Sequence, residues 1–343
     1  MKKSSLYFGL LLGALIACGV FAVILQQKTT SQNAQSSTVR ELKIAHSLPT
    51  SHPVHQGVEH FRKRLEELSG GAITCNIFPN NQLGKETEYL EKLQTGSLDI
   101  AKTSAAPIGN FVPRMKVLSL PYLFRDREHY WQTLDSEIGQ GLLEKLSDRG
   151  NGKPSGIRGL CYFDAGSRNF YSMDPVKSPE DLKGKIIRVM GDSISMKMVE
   201  SFDATPKSMG GGEIYGALEK GVINGAENNP PTFIAQSHYE VCKHFTFDHH
   251  SRIPDILNIS NSLWDQLSDQ EKSWFMTAAK EASQLQRKLW EKDSKAAIEK
   301  MKAHGVTIHH PDTKPFEALA GSSSEKELNA EQKQLKKSIR EIK

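Results

Sequence analysis

Cysteine is scarce in this chain: four among 343 residues, at 18, 75, 161 and 242. Wide spacing and the absence of any CxxC pair exclude a disulfide framework and a cysteine zinc site, so Cys75, Cys161 and Cys242 read as buried thiols packed like small apolar side chains. Charge of one sign is also lacking. Lys+Arg number 44 against 40 Asp+Glu, and Lys2, Lys3 and Lys28 are the only charged residues before Arg40, which leaves the remainder close to neutral. A neutral body has no electrostatic footprint for nucleic acid. No Ser-centred nucleophile elbow, HExxH helix, phosphate-binding glycine loop or internal repeat is visible.

The one long apolar run, Leu6 to Leu25, follows Lys2 and Lys3 and precedes a polar stretch from Gln26 to Val39. It has the form of an export signal and spacer. Leu15-Ile16-Ala17-Cys18 is similar to a bacterial lipobox, while the full 20 residues, at about 1.5 Å each, match a hydrocarbon layer of about 30 Å. Cleavage, lipidation at Cys18 and retention of residues 6–25 as a membrane anchor all remain open, and each places the body outside the inner membrane. Residues 1–39 are therefore expected to be a leader and linker.

Beyond them, strands alternate with helices. Leu42–His46 reads as a strand and Val54–Leu68 as a helix with Val54, Val58, Phe61 and Leu65 on one face. Ile73–Phe78 reads as a strand, Glu86–Thr95 as a helix stopped by Gly96, and Leu98–Thr103 as a strand. Later, Ser178-Pro179-Glu180-Asp181 starts a short helix and Lys185–Met190 reads as a strand. Glu213–Lys220 reads as a helix closed by Gly221, and Val222–Ala226 as a strand. Asp265 to about His304 forms a long helix. The C-terminal tail, 321–343, is expected to open with a break at Gly321–Ser324 and to continue from Glu325 to Lys343 as a frayed, charged surface helix. The alternation predicts an α/β protein with largely parallel sheets, and its length suggests two domains of about 150 residues each.

Ordered short stretches carry a resemblance across roughly residues 41–310. They are Ser51-His52-Pro53, Gln82-Leu83-Gly84, Gly96-Ser97-Leu98-Asp99, Leu120-Pro121-Tyr122-Leu123-Phe124, Gly184-Lys185-Ile186-Ile187-Arg188-Val189 and Gly225-Ala226-Glu227-Asn228-Asn229-Pro230. Together they resemble the DctP-like solute-binding proteins of tripartite ATP-independent periplasmic (TRAP) transporters. The resemblance implies a two-lobed periplasmic binding protein fold with discontinuous domains, central hinge strands and a long helix spanning both lobes. By analogy lobe I holds 40–165 and 254–293, and lobe II holds 166–253 and 294–320. It also implies a periplasmic receptor, without cofactor, metal or catalysis, that delivers an organic acid to the small and large membrane subunits of an ion-driven permease.

A buried carboxylate requires a fixed cation, and arginine offers two parallel hydrogen bonds that a lysine cannot. Arg188 is a charge among aliphatics in its strand and matches the family's carboxylate-binding arginine; Arg168 matches its second cleft arginine, and Asn228 an asparagine that bonds the solute. Glu227 either accepts from sugar hydroxyls or pairs with a cleft arginine. His46, His52, His55, Glu86 and Glu88 lie on loops where lobe I would face the solute, and of these His55 and Glu86 are the expected binding residues. His52 and His55 also form half a metal site, without further ligands. His249-His250 and His309-His310 read as solvated loops. The Ala226–Pro231 stretch together with His238–Lys243 looks like members that bind uronates; a C4-dicarboxylate needs a second cation, which Arg168 could supply. A sensing subunit, or an exported enzyme with His55 or Glu227 as general base, are the other classes of answer.

Overall fold

In the computed structural model, which describes residues 39–150 and 152–342, the strands sort into two sheets. The first has the order β2-β1-β3-β10-β4, with β1 Arg40–Ala45, β2 Ile73–Phe78, β3 Ile100–Ser104, β4 Ile157–Phe163 and β10 Asp255–Ser260. The second has the order β11-β9-β5-β8-β6-β7, with β5 Arg168–Ser172, β6 Ile186–Val189, β7 Thr205–Ser208, β8 Gly225–Asn228, β9 His244–Ser251 and β11 Thr307–His309. Each sheet anchors one lobe of an α/β fold. The chain passes between the two sheets three times, through 164–167 after β4, through 252–254 before β10, and again between β10 and β11.

These crossings explain why the sheets are mixed, not largely parallel as the alternation predicts. β1 and β3 are parallel, but β10 arrives from the other lobe and lies antiparallel between β3 and β4. In the second sheet β5 lies antiparallel between β8 and β9, while β6 pairs parallel with both β7 and β8.

The helices follow their sequence signals closely. α1 (Pro53–Leu68) is capped by the His52 side chain, which accepts from the Val54 N–H, and it buries Val54, Val58, Phe61 and Leu65. Gly57 lets α1 approach the long helix, since a Cβ there would sit 2.9 Å from that of Gln286. α2 (Glu86–Thr95) ends on Gly96 in the left-handed region. The 178–181 start signal opens a single 3₁₀ turn, Pro179–Leu182. α3 (Ser193–Glu200) packs on β7, and α4 (Pro230–Ala235) follows β8. The long helix α5 spans Asp269–Ala303, 35 residues, or on the order of 50 Å. It packs on α1 and β4 of the first lobe and on α4 and β11 of the second.

Two segments depart from expectation. The strand expected at Val222–Ala226 begins only at Gly225, because the Val222 and Ile223 N–H groups bond back to the Ala217 carbonyl and close the preceding helix. Glu227 and Asn228 therefore lie within the sheet, not after it. The expected break at 321–324 is also absent: α6 (Lys314–Glu325) runs through it, and the turn comes at 326–329. The tail is not frayed. α7 (Ala330–Glu341) starts with an Asn329/Gln332 capping box and buries Ile339, which joins Leu328 in the first lobe's core. The apolar residues at 328, 335 and 339 form one docking face.

The three cysteines at 75, 161 and 242 are free and buried, and burial pushes the Cys75 and Cys242 thiols up to about 12. Among the described residues no helix is long and apolar enough to cross a membrane. The segment 6–25 and Cys18 lie outside the described residues.

Candidate functional site

A cavity of about 290 Å³ opens between residues of the two sheets, sized for one small molecule. Lobe I contributes Ser47, His52, Glu86, Lys102 and Asp255, and lobe II contributes Arg168, Arg188, Asn228, Thr232 and His238. Contacts across it hold the lobes together: Lys85 Nζ to Glu213 Oε2 at 3.0 Å, Asn110 Nδ2 to the Gly191 carbonyl at 2.6 Å, and His52 Nε2 to Thr232 Oγ1 at 3.2 Å.

Arg188 lies in β6 between β7 and β8 and is 5% exposed. Its guanidinium donates from Nε (3.1 Å) and NH2 (2.8 Å) to the Met209 carbonyl. Among the described residues no carboxylate lies within ion-pair distance of it. Burial, opposed only in part by the charge of Glu227, pulls its pKa below the ordinary arginine value. The other lysines and arginines lining the cavity are all paired: Lys85 with Glu213, Lys102 with Glu86 and Asp255, and Arg168 with Glu227.

Arg168 projects from β5 with four of its five N–H donors engaged. Nε and NH2 take the two oxygens of Glu227, NH2 also reaches the Glu227 carbonyl at 2.8 Å, and NH1 donates to Asn228 Oδ1 at 3.2 Å. Antiparallel register brings these groups together, since Phe170 pairs with Glu227 and Asn169 with Asn228. Asn228 Oδ1 also accepts from the Asn229 N–H, so its amide N–H2 is the group left for the cavity. Glu227 is not a cavity residue; it lies behind Arg168.

His250 completes that network and corrects the expectation of a solvated loop. It is fully buried in β9, with Nδ1 at 2.7 Å from Asp248 Oδ2, Nε2 at 3.4 Å from Glu227 Oε2, and its ring against Phe170. Its neighbour His249 is the exposed one, and His309 is half-buried in β11 against His244. Burial works against charge on His250, but Asp248 and Glu227 prevail and raise its pKa to about 9. Burial is likewise overcome at Glu227, where Arg168 and His250 hold the carboxyl down at about 2. His250 contributes stability that is whole below its ordinary 6.5 and lost as pH rises through about 9. Glu227 contributes stability that is whole above its ordinary 4.5 and lost as pH falls through about 2. His46 and His238, which burial holds neutral with pKa values down at about 3, withdraw stability as pH falls below 6.5, so the unfolding midpoint should be highest near pH 6.5 and fall on both sides, toward pH 9 by on the order of 3 kcal/mol from His250. A midpoint that is level or rising from pH 6.5 to 9.5 contradicts this network.

Of the histidines after β1, His52 and not His55 faces the cavity. As cap of α1, His52 sits at the helix mouth, buried against Trp290 and reaching Thr232. His55, one turn into the helix, is half-buried with Nδ1 at 2.9 Å from His46 Nε2. Burial drives the pKa of His46 down to about 3 and lowers those of His52 and His55, so all three stay neutral at pH 7. Among the described residues no group of three or more His, Cys, Asp or Glu side chains is placed to hold a metal ion. His238 lines the cavity, with Nδ1 on the Tyr171 hydroxyl at 2.8 Å and Nε2 buried without a partner.

Glu86 opens α2 and is filled. Oε1 lies 3.0 Å from Lys102 Nζ and 3.2 Å from Ser47 Oγ, and Oε2 accepts from the Ser104 N–H at 3.1 Å. Lys102 Nζ reaches on to Asp255 Oδ2 at 3.2 Å. Burial works against the ammonium, yet Asp255 and Glu86 hold the pKa of Lys102 above its ordinary value. Lys102 and Asp255 carry the same signal as Arg188, a charge in a buried strand, at Ile100-Ala101-Lys102 and Asp255-Ile256-Leu257; sequence reasoning used that signal only once.

Residues 44–329 match the family model of bacterial extracellular solute-binding proteins, family 7. The chain belongs to that family. A solute-binding protein of Chromohalobacter salexigens is 32% identical over 83% of this chain and 82% of its own. Among solved structures, a TRAP periplasmic solute binding protein of Xanthobacter autotrophicus with bound β-D-galacturonate superposes with TM-score 0.85 at 31% identity, covering 88% of this chain and 100% of that one. A Pseudomonas putida counterpart with bound D-glucuronate gives TM-score 0.84 at 34% identity, covering 88% and 97%. The family is extracytoplasmic and made of receptors, and its TRAP members serve membrane permeases.

Proposed function

We propose that this protein is a TRAP solute receptor that captures a uronate by its carboxylate on Arg188. The observation that carries the reading is the charge pattern of the cavity: one buried guanidinium without an acid, among cations that each have one. A ligand with a single carboxylate completes that pattern. A C4-dicarboxylate needs a second free cation, and Arg168, the candidate for that role, has its fork occupied by Glu227. Asn228, Ser47 and His52 supply neutral polar groups for ring hydroxyls, and the galacturonate- and glucuronate-bound relatives support the same solute class. Glu227 and Arg168 shape the floor of the site; His55 supports His46 without reaching the solute.

In this reading the ligand bridges lobe I (40–165 and 254–293) and lobe II (166–253 and 294–320) and favours the closed state by its differential affinity for it. The closed body is then recognised by the permease subunits, with residues 1–39 as an export segment that is cleaved, lipidated at Cys18 or retained as an anchor through 6–25. A thermal-unfolding screen tests the solute class. D-glucuronate or D-galacturonate at a hundredfold excess over its dissociation constant should stabilise the protein by about 2.7 kcal/mol. Stabilisation by succinate or malate alone would overturn the uronate assignment.

A further inference from the structure

The lobe I wall carries a device that the Arg188 contact leaves unused. Lys102 from β3 lies between two carboxylates that differ in how they are satisfied. Glu86 is filled by Ser47, Ser104 and Lys102, whereas Asp255 from β10 has a single hydrogen bond, from Lys102 to Oδ2. Among the described residues Oδ1 of Asp255 has no partner, and both Asp255 and Lys102 line the cavity. Lys102 has three N–H bonds, and two are directed at the acids. The wall thus presents a free acceptor on Asp255 beside a free donor on Lys102; burial raises the Asp255 pKa against the pull of Lys102, and with both acids ionised the three charges sum to one negative.

We infer that the Lys102–Asp255 pair is the specificity element of the site, reading a sugar hydroxyl and rejecting a second carboxylate. The inference rests on the uronate reading and deepens it. A hydroxyl is donor and acceptor at once, so it can give its proton to Asp255 Oδ1 while accepting from Lys102 Nζ, and neighbouring ring hydroxyls can share the two roles. A carboxylate can only accept. Placed here it meets Asp255 oxygen to oxygen, beside a wall whose single ammonium is already outnumbered. Arg188 and this pair are carried by different lobes, so closure checks both ends of the solute: an acid on one side, a hydroxyl on the other.

Asp255→Asn tests this without changing side-chain size. With the amide oxygen held by Lys102, the amide N–H2 replaces the free acceptor, so the wall becomes a donor surface. Calorimetric titration of the full chain should show uronate affinity falling about tenfold and succinate or malate affinity rising about tenfold. Their ratio then shifts about a hundredfold. On the unaltered protein, at least one monodeoxy uronate should bind about tenfold more weakly than its parent, and Asp255→Asn should erase that difference. A ratio within about twofold of the unaltered protein, in a variant with an unchanged unfolding midpoint, overturns the inference. So does equal affinity for every monodeoxy uronate, a measurement that requires no mutant to fold. If the unaltered protein bound no uronate at all, the functional reading itself would fail, an outcome distinct from either of these.

Discussion

Replacing Arg188 with alanine is expected to raise the dissociation constant for uronate by about a hundred- to a thousandfold, because the ligand carboxylate would enter a closed cavity with no cation free to meet it. Every other lysine or arginine there is committed to an acid of its own. Arg188→Lys should recover only part of the loss, since an ammonium cannot give the two parallel bonds of a guanidinium. The ligand-free protein should not suffer correspondingly. Arg188 is desolvated, bonded to a single carbonyl and without a carboxylate, so its truncation removes an uncompensated charge, and chemical denaturation should find stability unchanged or increased. Binding would then depend on a residue that burdens the empty fold. An unchanged dissociation constant, or a large loss of stability without ligand, would show that Arg188 serves the scaffold instead.

The opposite profile is expected at Glu227. Its carboxylate is buried, holds the fork of Arg168 and lies beside His250. Glu227→Ala leaves a guanidinium and a protonated imidazole buried together with only Asp248 nearby. Breaking such a network from one side costs about 3–5 kcal/mol, measurable as a fall in denaturation midpoint at constant slope. Glu227→Gln retains an acceptor and should cost less. The affinity of whatever fraction remains folded should change far less than in Arg188→Ala, because Glu227 lies behind the cavity wall. A loss below about 1 kcal/mol would mean the pairing contributes no more than an exposed ion pair.

Some of this was legible in the sequence for physical reasons. Arg188 stands among Ile186, Ile187 and Val189, and a charge in a buried strand requires a cavity or a partner. The helices beginning at Pro53 and Glu86 and the glycine stop at 96 are local chemistry and appeared within a residue of expectation, whereas the long helix, expected from Asp265, begins at Asp269 behind its Ser268 cap. What was not legible depends on register and crossing. Which acid fills the Arg168 fork is decided by β5 meeting β8 one pairing rather than another, and Asp255 meets Lys102 only because β10 returns from the other lobe to lie beside β3. His52 and His55 look equivalent in sequence; the start of α1 between them sends one to the cavity and the other to His46. The tail was misjudged because three apolar residues spread over twelve positions look sparse until they meet the core that covers them.

The most direct test of the account is a crystal structure of the protein grown with D-galacturonate. The sugar's carboxylate should lie against Arg188 with two N–H···O contacts of about 2.8 Å, and Arg168 should still be held by Glu227. A carboxylate bound to Lys102 or Arg168, with Arg188 donating only to Met209 as before, would contradict it.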